Sequence, residues 1–340
     1  MSANSFSLDF GEKYTRIVNA KMIGDKIELI NLGYLETVPN FFSADSEANI
    51  DKQAESIAKL ADSFKLKDKD VSVIIPDSLT YSQIVPMPKL NEKELLSAIR
   101  YQADQFIPMP IDEVALDIEI LSEDQKNNKL SILIVASPKK TVELVQKTLE
   151  RANLFPISLE NELSAFGRLF SERYKPRVNG LLIVVNLGYT SSSIYLIDGR
   201  TSLVLVTRTF KLGLNLFVKD LKVNFSVDEA KAFEALKSIG LTKNASYDIE
   251  SIVSPLTNEI SEEIKKFIVL AKGQYGLSPE KIMIYNHSPL IALFDKKIES
   301  MVALPTVDFN LEETILNNPV YQSHLHEIPL YISAISGNLR

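Results

Sequence analysis

The chain contains no cysteine, so disulfides, thiolate catalysis and cysteine-based metal sites are excluded together. Histidine is nearly absent as well, with 3 residues in 340. Positive charge is outweighed: 37 Lys and Arg stand against 44 Asp and Glu, a formal net charge of −7. No basic stripe with interleaved aromatics interrupts that balance, so nucleic acid is not an expected partner. No window holds the roughly 18 uncharged apolar residues that a spanning helix needs. The richest apolar run, Leu181 to Val185, reads as a buried strand. The N-terminal stretch lacks the basic region and apolar core of a signal peptide, and the expected location is the cytoplasm.

Hydrophobic residues make up 45% and charged residues 24%, which fits a globular chain long enough for about two domains. Alternation predicts strands over Phe6–Asp9, Tyr14–Ala20 and Lys26–Glu36, the first two meeting at Gly11. A helix follows at Asp51–Phe64, then a short apolar strand at Val71–Ile75. From about Ser78 the texture changes. A strand at Tyr81–Met87 leads into a helix over Glu92–Gln105, with Asn91 and Glu94 spaced as a capping box. Two strands, Val114–Leu121 and Leu130–Ala136, and a helix over Lys139–Ala152 complete what reads as an inserted α+β unit with its own apolar set. Helix Glu162–Arg173 returns to the first domain.

The second half then repeats the opening order. Strands at Leu181–Asn186, Ser193–Asp198 and Leu203–Thr209 are followed by helices at Asn215–Val223, Val227–Ser238 and Ile249–Tyr275. A strand at Lys281–Tyr285 and helices at Leu290–Met301 and Ile328–Ser336 close the chain, the last ending on Gly337. The domain reading is 1–77 as a first lobe with 156–175 returning to it, 78–155 inserted, and 176–340 as a second lobe.

Each half carries a glycine at a hairpin tip: Asp9-Phe10-Gly11 in one, Asn186 to Ser191 with Gly188 in the other. Glycine there lets backbone N–H groups approach a phosphate, and a carboxylate such as Asp9 can hold magnesium through water. The alternative is plain: each glycine makes a tight turn and Asp9 caps a strand end. His324, His326 and Glu327 read as a surface pair of histidines on a strand rather than a metal site. Glu262-Glu263 and Glu312-Glu313 read as solvated charges on helices.

The segment Ala98 to Asp117 carries the most specific motif. Tyr101, Ala103, Phe106, Ile107, Pro108, Pro110, Glu113, Val114 and Asp117 match the hallmark stretch of PilM, and Gln102 stands where that family has Glu. The chain thus resembles the PilM family of type IV pilus assembly, related to the division protein FtsA, with weaker similarity after about Gly276. The resemblance implies an α/β, actin-like (ribonuclease H-like) two-lobed ATPase fold with mixed sheets and an inserted subdomain. It implies a cytoplasmic scaffold that binds the cytoplasmic tail of a PilN-like inner-membrane protein, in a groove where the inserted subdomain meets the first lobe. Membrane contact then comes only through partners.

The resemblance also implies ATP and magnesium in a cleft between the lobes. It assigns Asp9, Gly11, Arg16, Gly188, Thr190 and Ser191 to the nucleotide, with Asp9 at the metal. Against this, Glu12 replaces a small hydroxyl residue, Asn186 replaces the second Asp, and Ala230 to Glu234 exchange the charges of an Ala-Glu-x-x-Lys motif. Asn286-His287-Ser288 replaces three glycines, and Gly213-Leu214 loses one of a pair. Glu160 and Glu162 match the family's acidic pair, with Arg168 following. The expectation is a scaffold with degenerate nucleotide binding. The other readings are an active ATP-dependent switch of the same machinery and an FtsA-like filament protein. Homo-oligomer formation is left open.

Overall fold

Strand β1 (Phe6–Phe10) is buried at every position, so it must lie inside a sheet covered on both faces. Its neighbours are β2 (Tyr14–Ile23), antiparallel, and β4 (Asp70–Ile75), parallel. β3 (Lys26–Glu36) pairs with β2 through a turn at Gly24, whose φ of +59° suits a residue without Cβ. The computed structural model describes residues 6–44, 46–101, 107–174, 179–243 and 247–339.

Parallel pairing of β1 with β4 requires a crossover, which α1 (Glu47–Ser63) supplies. The helix begins earlier than its apolar stripe suggests because the Ser46 side chain accepts from the Asn49 N–H and caps it. After β4 comes the inserted segment: β5 (Tyr81–Pro88), α2 (Glu92–Tyr101 as described), β6 (Val114–Asp124) and β7 (Lys129–Pro138). Its antiparallel sheet runs β5-β7-β6 and has its own core of Val85, Leu95, Ile99, Ile132 and Ile134. The capping box forms reciprocally: Asn91 N–H donates to Glu94, and Glu94 N–H donates to Asn91.

One expectation needs correction here. Helix α3 (Lys139–Arg151) does not complete the apolar set of the inserted sheet. Val145 and Leu149 instead join the core of the first sheet with Ala54 and Ile57 of α1. Its apolar stripe packs wherever a complementary stripe is offered, and α1 offers it. β8 (Phe155–Asn161) then adds parallel to β4, and α4 (Glu162–Glu172) follows. The first sheet runs β3-β2-β1-β4-β8.

In the second unit β9 (Leu181–Leu187) and β10 (Ser192–Asp198) are buried throughout. β11 (Leu203–Phe210), α5 (Leu214–Phe225), α6 (Glu229–Ser238) and the long α7 (Ile249–Tyr275) follow. β12 (Pro279–Asn286), α8 (Phe294–Val302) and a short β13 (Thr306–Asp308) complete a sheet in the order β11-β10-β9-β12-β13. Its core gathers Ile183, Val185, Phe217, Ile260, Ile264 and Phe294.

The chain divides into two compact units, one reaching to Arg173 and including Ile315–Val320 and the stretch from Ser333, the other holding Tyr174–Thr314 and Tyr321–Ile332. The expected C-terminal helix is broken into a 3-10 turn at Ile328–Tyr331 and α10 (Ile332–Gly337), after a short α9 (Pro319–Ser323) that the sequence does not suggest. Gly337 is not a terminal stop. A Cβ there would fall 2.2 Å from Ile74 Cδ1 and 3.2 Å from Ser7 Cβ, so glycine allows α10 to lie on the first sheet. Asn338 fastens the end by accepting from the Ala20 N–H at 3.0 Å and donating to the Val18 carbonyl at 2.9 Å. Among the described residues, no helix is long and apolar enough to cross a membrane.

Candidate functional site

The register of the first hairpin sets Asp9 directly opposite Arg16. Arg16 Nη1 donates to Asp9 Oδ2 at 2.9 Å, and the two residues are only 3% and 1% exposed. Burial pushes the Asp9 carboxyl above its usual range, while the Arg16 charge and hydrogen bond oppose the shift. Asp9 Oδ1 has no hydrogen-bond partner. Gly11 is required by the turn, since a Cβ would lie 2.5 Å from the Tyr14 carbonyl oxygen. The Gly11 carbonyl is held inward by Thr37, whose Oγ1 donates to it at 2.7 Å. Behind Thr37, Thr15 lies at 2.9 Å, and Gln53 Nε2 donates to Thr15 at 3.1 Å while its Oε1 accepts from the Val38 N–H. Sequence reasoning missed Thr37 and Gln53. The available signal was an amide on the apolar stripe of α1, where a buried polar group must find partners. Glu12 is half-buried beside this turn.

In the second hairpin a Cβ at Gly188 would sit 2.1 Å from the Ser191 carbonyl oxygen, so this glycine too serves a tight turn. Thr190 is exposed and Ser191 half-buried. The Gly188 and Tyr189 carbonyls accept from the Leu214 and Asn215 N–H groups at 3.0 Å each. The amides that open α5 are thus engaged by the hairpin itself. Asn186 accepts at Oδ1 from Asn286 Nδ2 at 2.9 Å and donates through Nδ2 to the Tyr195 hydroxyl at 3.4 Å. That hydroxyl lies 3.5 Å from the one on Tyr285. His287 is buried, with Nδ1 and its own backbone N–H both 3.0 Å from the Leu187 carbonyl oxygen. A carbonyl only accepts, so Nδ1 carries the proton. Ser288 Oγ donates to Asp308 at 2.7 Å, and burial pushes the Asp308 carboxyl up. Lys231 points to solvent over Asp228, which caps α6 by accepting from the Lys231 N–H at 2.9 Å.

The matched acidic pair is used structurally. Arg168 donates to both oxygens of Glu160, at 2.7 and 2.6 Å. Glu162 accepts from the Asp77 N–H, and Asp77 accepts in return from the Leu163 N–H, each at 3.1 Å. Asn161 caps α4 and donates to Thr80 and Ser82, tying the end of β8 to the start of the inserted sheet. β8 is the open edge of the first sheet, and its Phe155 and Ile157 are 57% and 53% exposed. Of the hallmark segment, Gln102, Ala103 and Phe106 lie outside the described residues. Tyr101 projects into solvent, Ile107 and Val114 are buried in the inserted core, and Asp117 is exposed on β6.

Three weaker expectations change. His324 and His326 lie in a turn, not on a strand, and no metal-holding cluster occurs among the described residues. Glu263 is not a solvated charge. It is 8% exposed and pairs with Lys266 at 2.5 Å and Arg208 at 3.4 Å, because its helix face turns inward. Glu312 and Glu313 lie in a turn rather than a helix.

Among solved structures, the fold is similar over 99% of this chain and 98% of the other to a "PilM-PilN type IV pilus biogenesis complex", with a TM-score of 0.86 at 21% identity. Ethanolamine utilization protein EutJ from Carboxydothermus hydrogenoformans matches at TM-score 0.54 and 11% identity, over 98% of this chain and 88% of that one. A Bacteroides thetaiotaomicron protein with an actin-like ATPase fold matches at 0.50 and 11%, over 95% and 96%. The fold is the actin-like ATPase fold. The family model for the type IV pilus assembly protein PilM matches residues 7–340, and the chain therefore belongs to that family.

Proposed function

We propose that this protein is a scaffold of type IV pilus assembly that holds the cytoplasmic tail of a PilN-like inner-membrane protein, and that its nucleotide binding is degenerate. The observation that carries the first part is the exposed pair Phe155 and Ile157 toward the start of the edge strand β8, whose opposite end is tied to the inserted sheet by Asn161. An open edge offers main-chain hydrogen bonds to an extended peptide, and alternate apolar side chains supply its anchors. The likeness to a PilM–PilN complex supports the choice of partner. Attachment to the inner membrane follows through that partner.

Four features support the second part. The Asp9 carboxylate is already countered by Arg16, which leaves little charge for a magnesium ion. Asn186 is neutral and engaged by Asn286. His287 fills the position of a glycine expected from the family pattern. The opening amides of α5 are bonded to hairpin carbonyls instead of being open to a phosphate. These residues do not fit a magnesium–nucleotide, and no step of the function runs through one.

The test is fluorescence anisotropy with a labelled peptide of the cognate tail. Phe155→Ser with Ile157→Ser is expected to weaken binding about tenfold or more, whereas Asp9→Asn leaves it unchanged. Equal binding by the double variant would overturn the docking reading. Calorimetry with Mg-ATP is expected to give no heat, and micromolar affinity would move an ATP-dependent switch ahead.

A further inference from the structure

Strand β3 closes one side of the first sheet, and the chain covers its outer edge over only part of its length. At 27–29 the returning segment 315–318 lies against it. Ile315 bridges Ile27 in parallel, the Leu316 N–H donates to the Ile27 carbonyl at 2.8 Å, and Asn318 Nδ2 donates to the Leu29 carbonyl at 2.7 Å. The segment then leaves the edge as α9 begins. Just past Leu29 a bulge shifts the register of β3 against β2.

The ladder decides which groups the rest of the edge presents. The Thr37 N–H donates to the Lys13 carbonyl at 2.9 Å, so Leu35, Gly33 and Asn31, at steps of two from Thr37, also bond inward to β2. Leu32, Tyr34 and Glu36 alternate with them and aim N–H and C=O outward, where these groups take no partner among the described residues. Neither proline nor lysine, which commonly blunt such an edge, occurs from 29 to 36. Two apolar side chains are instead exposed along it, Ile30 at 38% and Tyr34 at 57%. The Tyr34 ring is steadied by the edge of Tyr14, with centroids 5.4 Å apart.

Symmetry selects the occupant. A second copy of this edge, antiparallel and centred on Tyr34, sets Tyr34 opposite Tyr34 and Leu32 opposite Glu36. That register pairs every outward group of the stretch, whereas a slip of one residue would pair none. It also keeps like charges apart. Each Glu36 faces an aliphatic side chain, and its diagonal neighbour is the Tyr34 of the second copy, whose hydroxyl can donate to the carboxylate. Length agrees as well, because the chain leaves the sheet after Thr37 and the segment 315–318 fills the edge before Ile30. A longer foreign strand would run into that segment.

We propose that this protein self-associates as a two-fold dimer through the β3 edge, joining the first sheets of two copies into one continuous sheet. Pairing over so few residues buries little area, so the dimer belongs with weak, transient interfaces. It is built from the first unit alone and does not depend on the scaffold reading.

The absence of cysteine supplies the test, since Tyr34→Cys introduces a sole thiol. Directly opposed residues of a bonded pair lie roughly 5.5 Å apart at Cα, within the span of a disulfide. Copper-phenanthroline is expected to link this variant into covalent dimers about tenfold faster than Val269→Cys, a control at a 70% exposed position of α7. Sedimentation equilibrium of the unmodified chain is expected to show a reversible dimer near about 100 µM. Tyr34→Pro removes an outward N–H that an edge strand can spare, and should weaken association about tenfold or more at unchanged circular dichroism. Tyr34→Lys keeps the backbone intact, sets two ammonium groups opposite each other, and should weaken association most at low salt. Equal linking rates for the two cysteine variants would overturn the proposal. So would a chain that stays monomeric at millimolar concentration, or a dimer that survives both substitutions at Tyr34.

Discussion

The two sheets share one plan and differ in what fills their hairpins. Each has three antiparallel strands followed by two parallel ones, in the orders β3-β2-β1-β4-β8 and β11-β10-β9-β12-β13. The first hairpin holds a buried ion pair, Asp9 with Arg16, while the second holds a neutral chain of Asn286, Asn186 and Tyr195. The strand order follows from burial, because β1, β9 and β10 are apolar enough to lie covered on both faces. The polar fill varies in kind, a charge pair in one unit and amides with phenols in the other, and in the first it leaves Asp9 Oδ1 without a partner.

Breaking each filling tests the contrast. Arg16→Met strands a buried carboxylate and is expected to cost about 3–5 kcal/mol in urea unfolding, less as falling pH protonates Asp9. Asp9→Leu added to it should restore much of that loss, as paired removal of a buried ion pair often does. Asn186→Leu leaves neutral groups short of partners and should cost only about 1–3 kcal/mol. Equal costs would erase the distinction between a charged and a neutral filling.

The glycines come next in size. Gly188→Ala and Gly11→Ala each press a Cβ against a carbonyl oxygen, at 2.1 and 2.5 Å, where backbone has to move. About 1–3 kcal/mol is expected for both, with Gly188→Ala the larger. Gly337→Ala meets the far end of the Ile74 side chain, which can rotate away, so thermal unfolding should rank it below the other two.

The smallest effects separate two carboxylates of the second sheet by sign. Asp308 is held above its ordinary range by burial, so the native state keeps a proton that the unfolded chain releases, and stability falls as pH rises through the native value. Asp308→Asn should therefore be better tolerated at neutral pH than near about pH 4. Asp198 is held low, chiefly by its hydrogen bond from Arg200, so its contribution is present at neutral pH and lost as pH falls. Asp198→Asn should show its cost at neutral pH and lose it in acid. Unfolding curves across that range check both signs.

Much of the fold was legible because it is written in short periods. Alternation marked β1 to β3, short apolar runs marked β4 and β9, the helical stripe marked α1, and the spacing of Asn91 and Glu94 marked the start of α2. The hairpin glycines were legible too, since a turn asks for them locally. The short β13 was not, because three residues carry no period. Nor was the role of Gln53, which only the Thr15–Thr37 pair explains.

By itself the sequence determined most of the strands and helices, the repeated order of the two halves and the family, which rest on patterns within short stretches of chain. Tertiary structure alone decided that Asn186 meets Asn286 a hundred residues away, that α3 serves the first core rather than the inserted one, and that the chain returns from Ser333 to lie on the first sheet. An apolar stripe states that it must be buried but not against what. The partner is set by which complementary surface the rest of the chain brings within reach.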